Sequence, residues 1–270
     1  MQPGSGEYTE IDGIRTYFVL KGRGPNLVLL HGQAPGASLH VMWDSTIDCF
    51  ADAGFSVYAF DQVGFGRTDN DPTDFTRDRR VRHARAFLDT MALDRCALWG
   101  QSDGSNVACR MALQDSRVSR MVVMACSTLS PRPPAETEQD AAEVSEERGG
   151  YSPSLESARA YLTRSLQRKA AITDALVNEF HEMSSGKNHD AFKKRRELRN
   201  VPIYDELHAL KVPVLMLWGR NDAGGAIRGM LLQEKIPGAE LHIFDNCGHW
   251  VQVDQAERVN SLVRGFLAEV

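Results

Sequence analysis

Trp99-Gly100-Gln101-Ser102-Asp103-Gly104-Ser105 is the stretch on which the reading of this chain turns. The apolar run Cys96-Ala97-Leu98-Trp99 precedes it, and helical character begins near Asp103. Glycines on both sides of one serine, at a strand-to-helix junction, describe a sharp elbow. A serine hydroxyl is a poor nucleophile at neutral pH. The elbow lifts it out on a turn, where a histidine can take its proton. The pentapeptide alone arises by chance, so the reading depends on an acid and a histidine following in the right order.

Both follow. Leu217-Trp218-Gly219-Arg220-Asn221-Asp222 places Asp222 just beyond an apolar strand, and Asp245-Asn246-Cys247-Gly248-His249-Trp250 places His249 just beyond the next. Taken alone, His249 is as readily a satisfied buried histidine, and Asp222 an Asx-turn carboxylate. Nucleophile, acid and histidine in this order, each at a strand end, favour a Ser102–Asp222–His249 triad. A tetrahedral intermediate also needs donors for its oxyanion. The backbone N–H of Asp103 is one. The other is expected from His31-Gly32-Gln33-Ala34-Pro35-Gly36, with Gln33 first and Ala34 next. The plainer reading of that loop is a tight turn that needs its glycines.

Strand-like runs lie around the elbow at Ile14–Leu20, Asn26–Leu30, Phe55–Phe60, Cys96–Trp99 and Val118–Cys126. Asp12-Gly13 signals a hairpin into the first of these. Continuous apolar strands indicate a sheet buried on both faces, and spacers such as Arg77–Ala92 fit right-handed crossover helices. From about Ser130 to Leu210 the strands stop. Ser130-Pro131-Arg132-Pro133-Pro134 reads as a linker, followed by helices expected over Ala135–Arg148, Ser154–Lys169, Ile172–Met183 and Asp190–Arg199. Val212–Trp218 and Leu241–Phe244 resume the sheet. Gln255–Leu267 closes it with Val259, Leu262, Val263 and Phe266 on one helical face. The expected fold is α/β: a mostly parallel, doubly wound sheet formed by residues 1–130 and 211–270, with a helical cap inserted over 131–210.

The 270 residues carry a formal net charge of -5, which gives no footprint for nucleic acid or an anionic membrane. No apolar run approaches the roughly 20 residues of a membrane span. Met1-Gln2-Pro3-Gly4-Ser5-Gly6 lacks the regions of a signal peptide. Five scattered cysteines, mostly in apolar runs, read as reduced core residues of a cytoplasmic protein. The histidines show no metal-binding pattern, so no metal is expected. There is no P-loop, and Gly64-Phe65-Gly66 lacks the third glycine of a dinucleotide fingerprint.

Across nearly its whole length the chain resembles the α/β-hydrolase superfamily, and more narrowly the meta-cleavage-product hydrolases. Those enzymes break a carbon–carbon bond in vinylogous 1,5-diketones from aromatic ring fission. His31-Gly32-Gln33-Ala34-Pro35-Gly36-Ala37 is similar to the family's H-G-G-G-P-G-A loop. Asp61-Gln62-Val63-Gly64-Phe65-Gly66-Arg67-Thr68 matches its turn after the fourth strand, and Arg77-Asp78-Arg79-Arg80-Val81-Arg82-His83 looks like the helix start of carbazole-pathway members. The most specific match runs from Leu241-His242-Ile243-Phe244 through Cys247-Gly248-His249-Trp250-Val251-Gln252. The resemblance implies triad roles for Ser102, Asp222 and His249, a pocket position for Trp250, no cofactor, a small-molecule substrate, and a homodimer as a common state. Trp250 also fits an aromatic packed under the last helix.

Three departures bear on substrate. Gln101 stands where the family has asparagine, and Ser105 where it has a second glycine. Phe180, in Leu176-Val177-Asn178-Glu179-Phe180-His181-Glu182-Met183-Ser184, stands where the family's cap arginine binds the dienol carboxylate. A phenylalanine cannot hold a carboxylate. A replacement cation is sought in Lys193-Lys194-Arg195-Arg196 or His181, although such a run ordinarily forms a solvated helix face. Ser102-Asp103-Gly104 also resembles valacyclovirase-like amino-acid ester hydrolases, whose aspartate binds the substrate ammonium; a helix-start aspartate complementing the dipole is the alternative. An unpaired Asp103 would favour a cationic or neutral substrate. Gln101, Trp250, Phe180 and Ala34 are thus the expected substrate contacts. Ester or lactone hydrolysis, a ligand receptor without turnover, and an interaction module working through Glu136–Glu147 are the rival functions.

Overall fold

The computed structural model describes residues 6–130, 150–198, 201–223 and 225–268. Its centre is an 8-stranded sheet in the order β1-β2-β4-β3-β5-β6-β7-β8. β1 (Glu7–Ile11) and β2 (Ile14–Lys21) form the antiparallel hairpin expected at Asp12-Gly13. Both turn residues have positive φ, 51° and 72°, the twist that a two-residue hairpin needs. From β3 (Asn26–Leu30) and β4 (Ser56–Phe60) onward, through β5 (Cys96–Gln101), β6 (Val118–Met124), β7 (Val214–Gly219) and β8 (Glu240–Phe244), neighbouring strands run parallel. Every residue of β5 and β7 is buried, as continuous apolar strands covered on both faces should be.

Helices cover the two faces. On one lie α1 (Leu39–Asp52), the single turn α8 (Val251–Asp254) and the closing helix α9 (Ala256–Ala268), which presents Val259, Val263 and Leu267 to the core. Edge-on packing of Trp43 and Phe50 against Trp99, at 5.4 Å in each case, joins α1 to β5. On the other face lie α2 (Arg77–Thr90), α3 (Asp103–Gln114) and α7 (Ala226–Lys235). There Phe60 stacks on Phe87 with centroids 4.2 Å apart.

Between β6 and β7 the described chain is helical: α4 (Leu155–Ser165), α5 (Asp174–Met183) and α6 (Lys187–Glu197), then a short 3-10 segment at Tyr204–Ala209. α4 and α5 begin after Ser154 and Thr173, whose side chains accept from the N–H groups of Ser157 and Leu176. α6 starts at Lys187, three residues before the expected Asp190, because Gly186 supplies a φ of 55° that turns the chain into it. The linker beyond Ser130, the expected helix Ala135–Arg148 and the acidic segment Glu136–Glu147 lie outside the described residues. No described helix is long and apolar enough to cross a membrane.

These helices sit on the turn that follows β4. Arg67 pairs bidentately with Glu179 of α5 (2.7 and 3.2 Å), and Asn188 donates to the Gly66 carbonyl at 2.9 Å. Phe180 packs directly over Gly36, in the loop after β3. The segment 61–70 is therefore a seat, held open by Asp61. That carboxylate is fully buried and accepts the N–H groups of Leu39 and Arg67, at 2.6 and 2.7 Å. Burial raises its pKa to about 6, against the lowering effect of those two bonds.

Candidate active site

β3 and β5 pair in parallel, with Leu30 opposite Gly100, so their following loops open at one end of the sheet. The chain leaves β3 toward β4 on one side and returns to β5 on the other. Such a switch point leaves a crevice at the strand ends, where ligands bind in open α/β sheets.

Ser102 stands in that crevice on strained backbone, with φ 51° and ψ -126°. A non-glycine residue held this way costs about 1–3 kcal/mol and persists only where its surroundings fix it. Here its N–H donates to the Met124 carbonyl at 2.7 Å, and its carbonyl accepts from Ser105 at 2.9 Å. The flanking glycines are steric requirements. A Cβ on Gly100 would lie 2.4 Å from the Ser105 backbone, and one on Gly104 2.1 Å from the Leu30 carbonyl oxygen. The serine at 105 also has a structural reason: its Oγ donates to the Gly100 carbonyl at 2.7 Å and accepts from Met124 N–H at 3.0 Å. It stitches the elbow to β6.

Asp222 and His249 come together from the ends of β7 and β8. His249 Nδ1 lies 3.0 Å from Asp222 Oδ1; the carboxylate is buried and the imidazole half-buried. An imidazole that donates from Nδ1 to a carboxylate keeps Nε2 as the basic nitrogen. The histidine loop is tied from three sides. His249 N–H donates to the Ser165 carbonyl of α4 at 2.9 Å. Gly248 N–H donates to Asp254 Oδ2 at 2.7 Å, while Asp254 Oδ1 also accepts from Gln167 and Arg168. Gln101 Nε2 donates to the His249 carbonyl at 3.2 Å. Gln101, expected to touch substrate, is thus buried and occupied with holding the histidine loop. Ser165 and Asp254 carried no motif by which the sequence could flag them.

The loop after β3 is fixed from beneath. His31 is fully buried; its Nδ1 bonds the Gly32 carbonyl at 2.8 Å and its Nε2 accepts from Gln62 N–H at 3.0 Å. Burial lowers its pKa to about 3, so the ring is neutral. Gln62 Nε2 donates to the His31 carbonyl, and Gln62 Oε1 accepts from Arg80 at 3.1 and 2.9 Å. Ala34 closes the turn by accepting from Ala37 N–H at 3.0 Å. Gln33 is half-buried and faces a cleft shared with Asp103.

Asp103 corrects the sequence reading most. It is not an unpaired carboxylate awaiting an ammonium group. Arg77 grips it through Nε (3.0 and 3.2 Å) and Nη2, Arg80 through Nη1, and Thr128 Oγ1 donates to it at 3.2 Å. Burial penalises the charge, yet the two arginines outweigh it and lower the pKa to about 2. Arg77 and Arg80 were missed as site residues. They stand at positions i and i+3 at the start of α2, on the face turned toward α3, a pattern that by itself names no partner.

Phe180 and Trp250 are both buried, with ring centroids 6.4 Å apart. Tyr161 stacks on Phe180 at 5.1 Å, and Tyr151 meets it edge-on at 6.3 Å. The position of the family's cap arginine is therefore the middle of an aromatic cluster. Trp250 serves that cluster and the core beneath α9 alike.

A strained elbow serine between a parallel sheet and an inserted helical segment defines the α/β-hydrolase class of enzymes. The family model for the alpha/beta hydrolase fold matches residues 25–256. A 2-hydroxy-6-oxononadienedioate/2-hydroxy-6-oxononatrienedioate hydrolase of Paraburkholderia phymatum is 32% identical, covering 95% of this chain and 92% of its own. The enzyme of that name from Escherichia coli K12 is 31% identical, over 94% and 91%. Among solved structures, the meta-cleavage product hydrolase CumD of Pseudomonas fluorescens IP01 superposes with a TM-score of 0.86 at 30% identity, covering 98% of both chains. The chain belongs to the α/β-hydrolase fold family, and within it to the branch of these carbon–carbon bond hydrolases.

Proposed function

We propose that the enzyme hydrolyses a carbon–carbon bond in vinylogous 1,5-diketones formed by aromatic ring fission, with Ser102, His249 and Asp222 as its triad. The 3.0 Å contact between His249 Nδ1 and Asp222 Oδ1 carries this reading. It supports a basic Nε2 on a strand-end loop next to the elbow. The relatives named above supply the substrate class.

In the proposed reaction, His249 first helps move the dienol O–H proton to carbon, giving the keto form. Ser102 Oγ, deprotonated by His249, then adds to the ketone carbonyl. The N–H groups of Gln33 and Asp103 receive the oxyanion. Collapse breaks the carbon–carbon bond. The electron pair leaves as a dienolate, which takes its proton from His249, and the acyl group stays on Ser102. Water releases it as a carboxylic acid. The balance needs only substrate and water.

The helices between β6 and β7 serve as a cap over this crevice, a reading supported by Phe180 lying on Gly36 and by the Arg67–Glu179 pair. Five free thiols support a cytoplasmic setting. The aromatic wall of Tyr151, Tyr161, Phe180 and Trp250 also suits a neutral ester or lactone. Purified protein mixed with a yellow ring-fission dienol should bleach it and release the carboxylic acid, and Ser102→Ala should release no acid. Failure with several such dienols, alongside turnover of p-nitrophenyl butyrate, would replace the reading with ester hydrolysis.

A further inference from the structure

Within the basic run Lys193–Arg196, Lys193, Lys194 and Arg196 are exposed while the Arg195 guanidinium turns inward. Its Nη1 donates to the Gly64 carbonyl at 2.6 Å, and its carbon lies 3.7 Å above the Phe65 ring centre. Its Nε and Nη2 are out of contact with solvent and have no hydrogen-bond partner among the described residues. Buried donors without acceptors are rare in folded proteins, and each calls for a reason.

Arg195 lines a small cleft with Gln33, Phe75, Arg77, Arg80 and Asp103. Three guanidinium groups there face one carboxylate. Asp103 is saturated by Arg77, Arg80 and Thr128. Asp71 and Asp74, in the adjoining cleft, are paired with Arg79 and Arg82. Positive charge is left over on Arg195, and burial, reinforced by Arg80, lowers its pKa to about 9, still protonated at neutral pH. The cleft adjoins the nucleophile: Asp103 follows Ser102, and Gln33 follows Gly32, which packs on the Ser102 side chain. In this arrangement the cleft has room for a group about the size of one water or one carboxylate oxygen.

We propose that this cleft is the substrate's carboxylate subsite, in which Arg195, backed by Arg77 and Arg80, takes over the role lost at Phe180. The inference rests on the ring-fission reading and deepens it. Arg195 Nε and Nη2 are the two donors left for the one carboxylate oxygen that the cleft admits. Arg77 and Arg80 are spent largely on Asp103 and set the potential around it. The cap thereby contributes specificity from α6 rather than α5.

The test compares a ring-fission dienol carboxylate with p-nitrophenyl butyrate as a neutral ester, in wild type, Arg195→Met and Arg195→Lys. Preference for the anionic substrate, as the ratio of kcat/KM values, should fall about 30-fold or more in Arg195→Met and recover in part in Arg195→Lys. Glutarate should raise the Tm of the wild type and not that of Arg195→Met. Dienol turnover with a preference unchanged in Arg195→Met would overturn the subsite and leave the ring-fission reading standing. Glutarate stabilisation through Arg195, in a protein that bleaches no dienol, would overturn the ring-fission reading and leave an anion subsite. Equal glutarate stabilisation of wild type and Arg195→Met would also overturn the subsite.

Discussion

Gln101 donates from its side-chain amide to the backbone carbonyl of His249 at 3.2 Å, so the residue before Ser102 holds the loop that carries His249. The bond spans two strand ends that do not pair with each other. It couples the elbow to the His249 loop directly. Gln101→Ala should lower kcat about 10-fold with little change in KM, since a small misplacement of a catalytic group is felt in the chemical step. Steady-state kinetics decide this; an unchanged kcat would make the contact incidental.

Asp222→Asn tests the orientation of His249. The amide keeps the volume of the carboxylate but accepts the Nδ1 proton poorly, which favours the wrong tautomer. We expect kcat to fall by about 10³-fold or more while the fold is kept, as triad enzymes behave when this acid is replaced. Labelling by a fluorophosphonate probe should slow in parallel. Labelling at the wild-type rate would show that another carboxylate serves His249.

Asp103→Asn tests the buried ion pairs. The folded-state pKa of about 2 lies below the ordinary 3.8, so the folded protein binds this proton more weakly than the unfolded chain. The stabilisation is then fully present above about pH 4 and is lost as pH falls toward 2. A shift of that size corresponds to about 2 kcal/mol, and two buried guanidinium groups losing their carboxylate add to the loss. Urea unfolding should show the variant weaker at neutral pH, with the gap narrowing below pH 4. A gap that does not change with pH would mean the arginines find other partners.

The order Ser102, Asp222, His249 was legible because each of these residues sits just past an apolar strand, where sequence pattern and position coincide. Strand ends shifted by only a residue or two. What stayed hidden was pairing between elements. Nothing in Asp103 announces that Arg77 and Arg80 lie against it, since ion pairs across helices follow from packing and not from spacing within a segment. Arg195 was hidden by its company: four consecutive cations look solvated, yet Asn188, Ala191 and Arg195 fall on one helical face, and the first two are buried. Gln101 and Ser105 read as departures aimed at substrate, and their hydrogen bonds instead brace the elbow and the histidine loop.

Attack of Ser102 on the substrate carbonyl is the step on which the proposed reaction turns. Rapid mixing of enzyme with one equivalent of ring-fission dienol, followed by acid quench and intact-protein mass spectrometry, reads this directly. The expected result is a transient acyl adduct on the protein before the carboxylic acid is released, with neither adduct nor acid in Ser102→Ala. Release of the acid at the wild-type rate by Ser102→Ala would show that Ser102 is not the nucleophile.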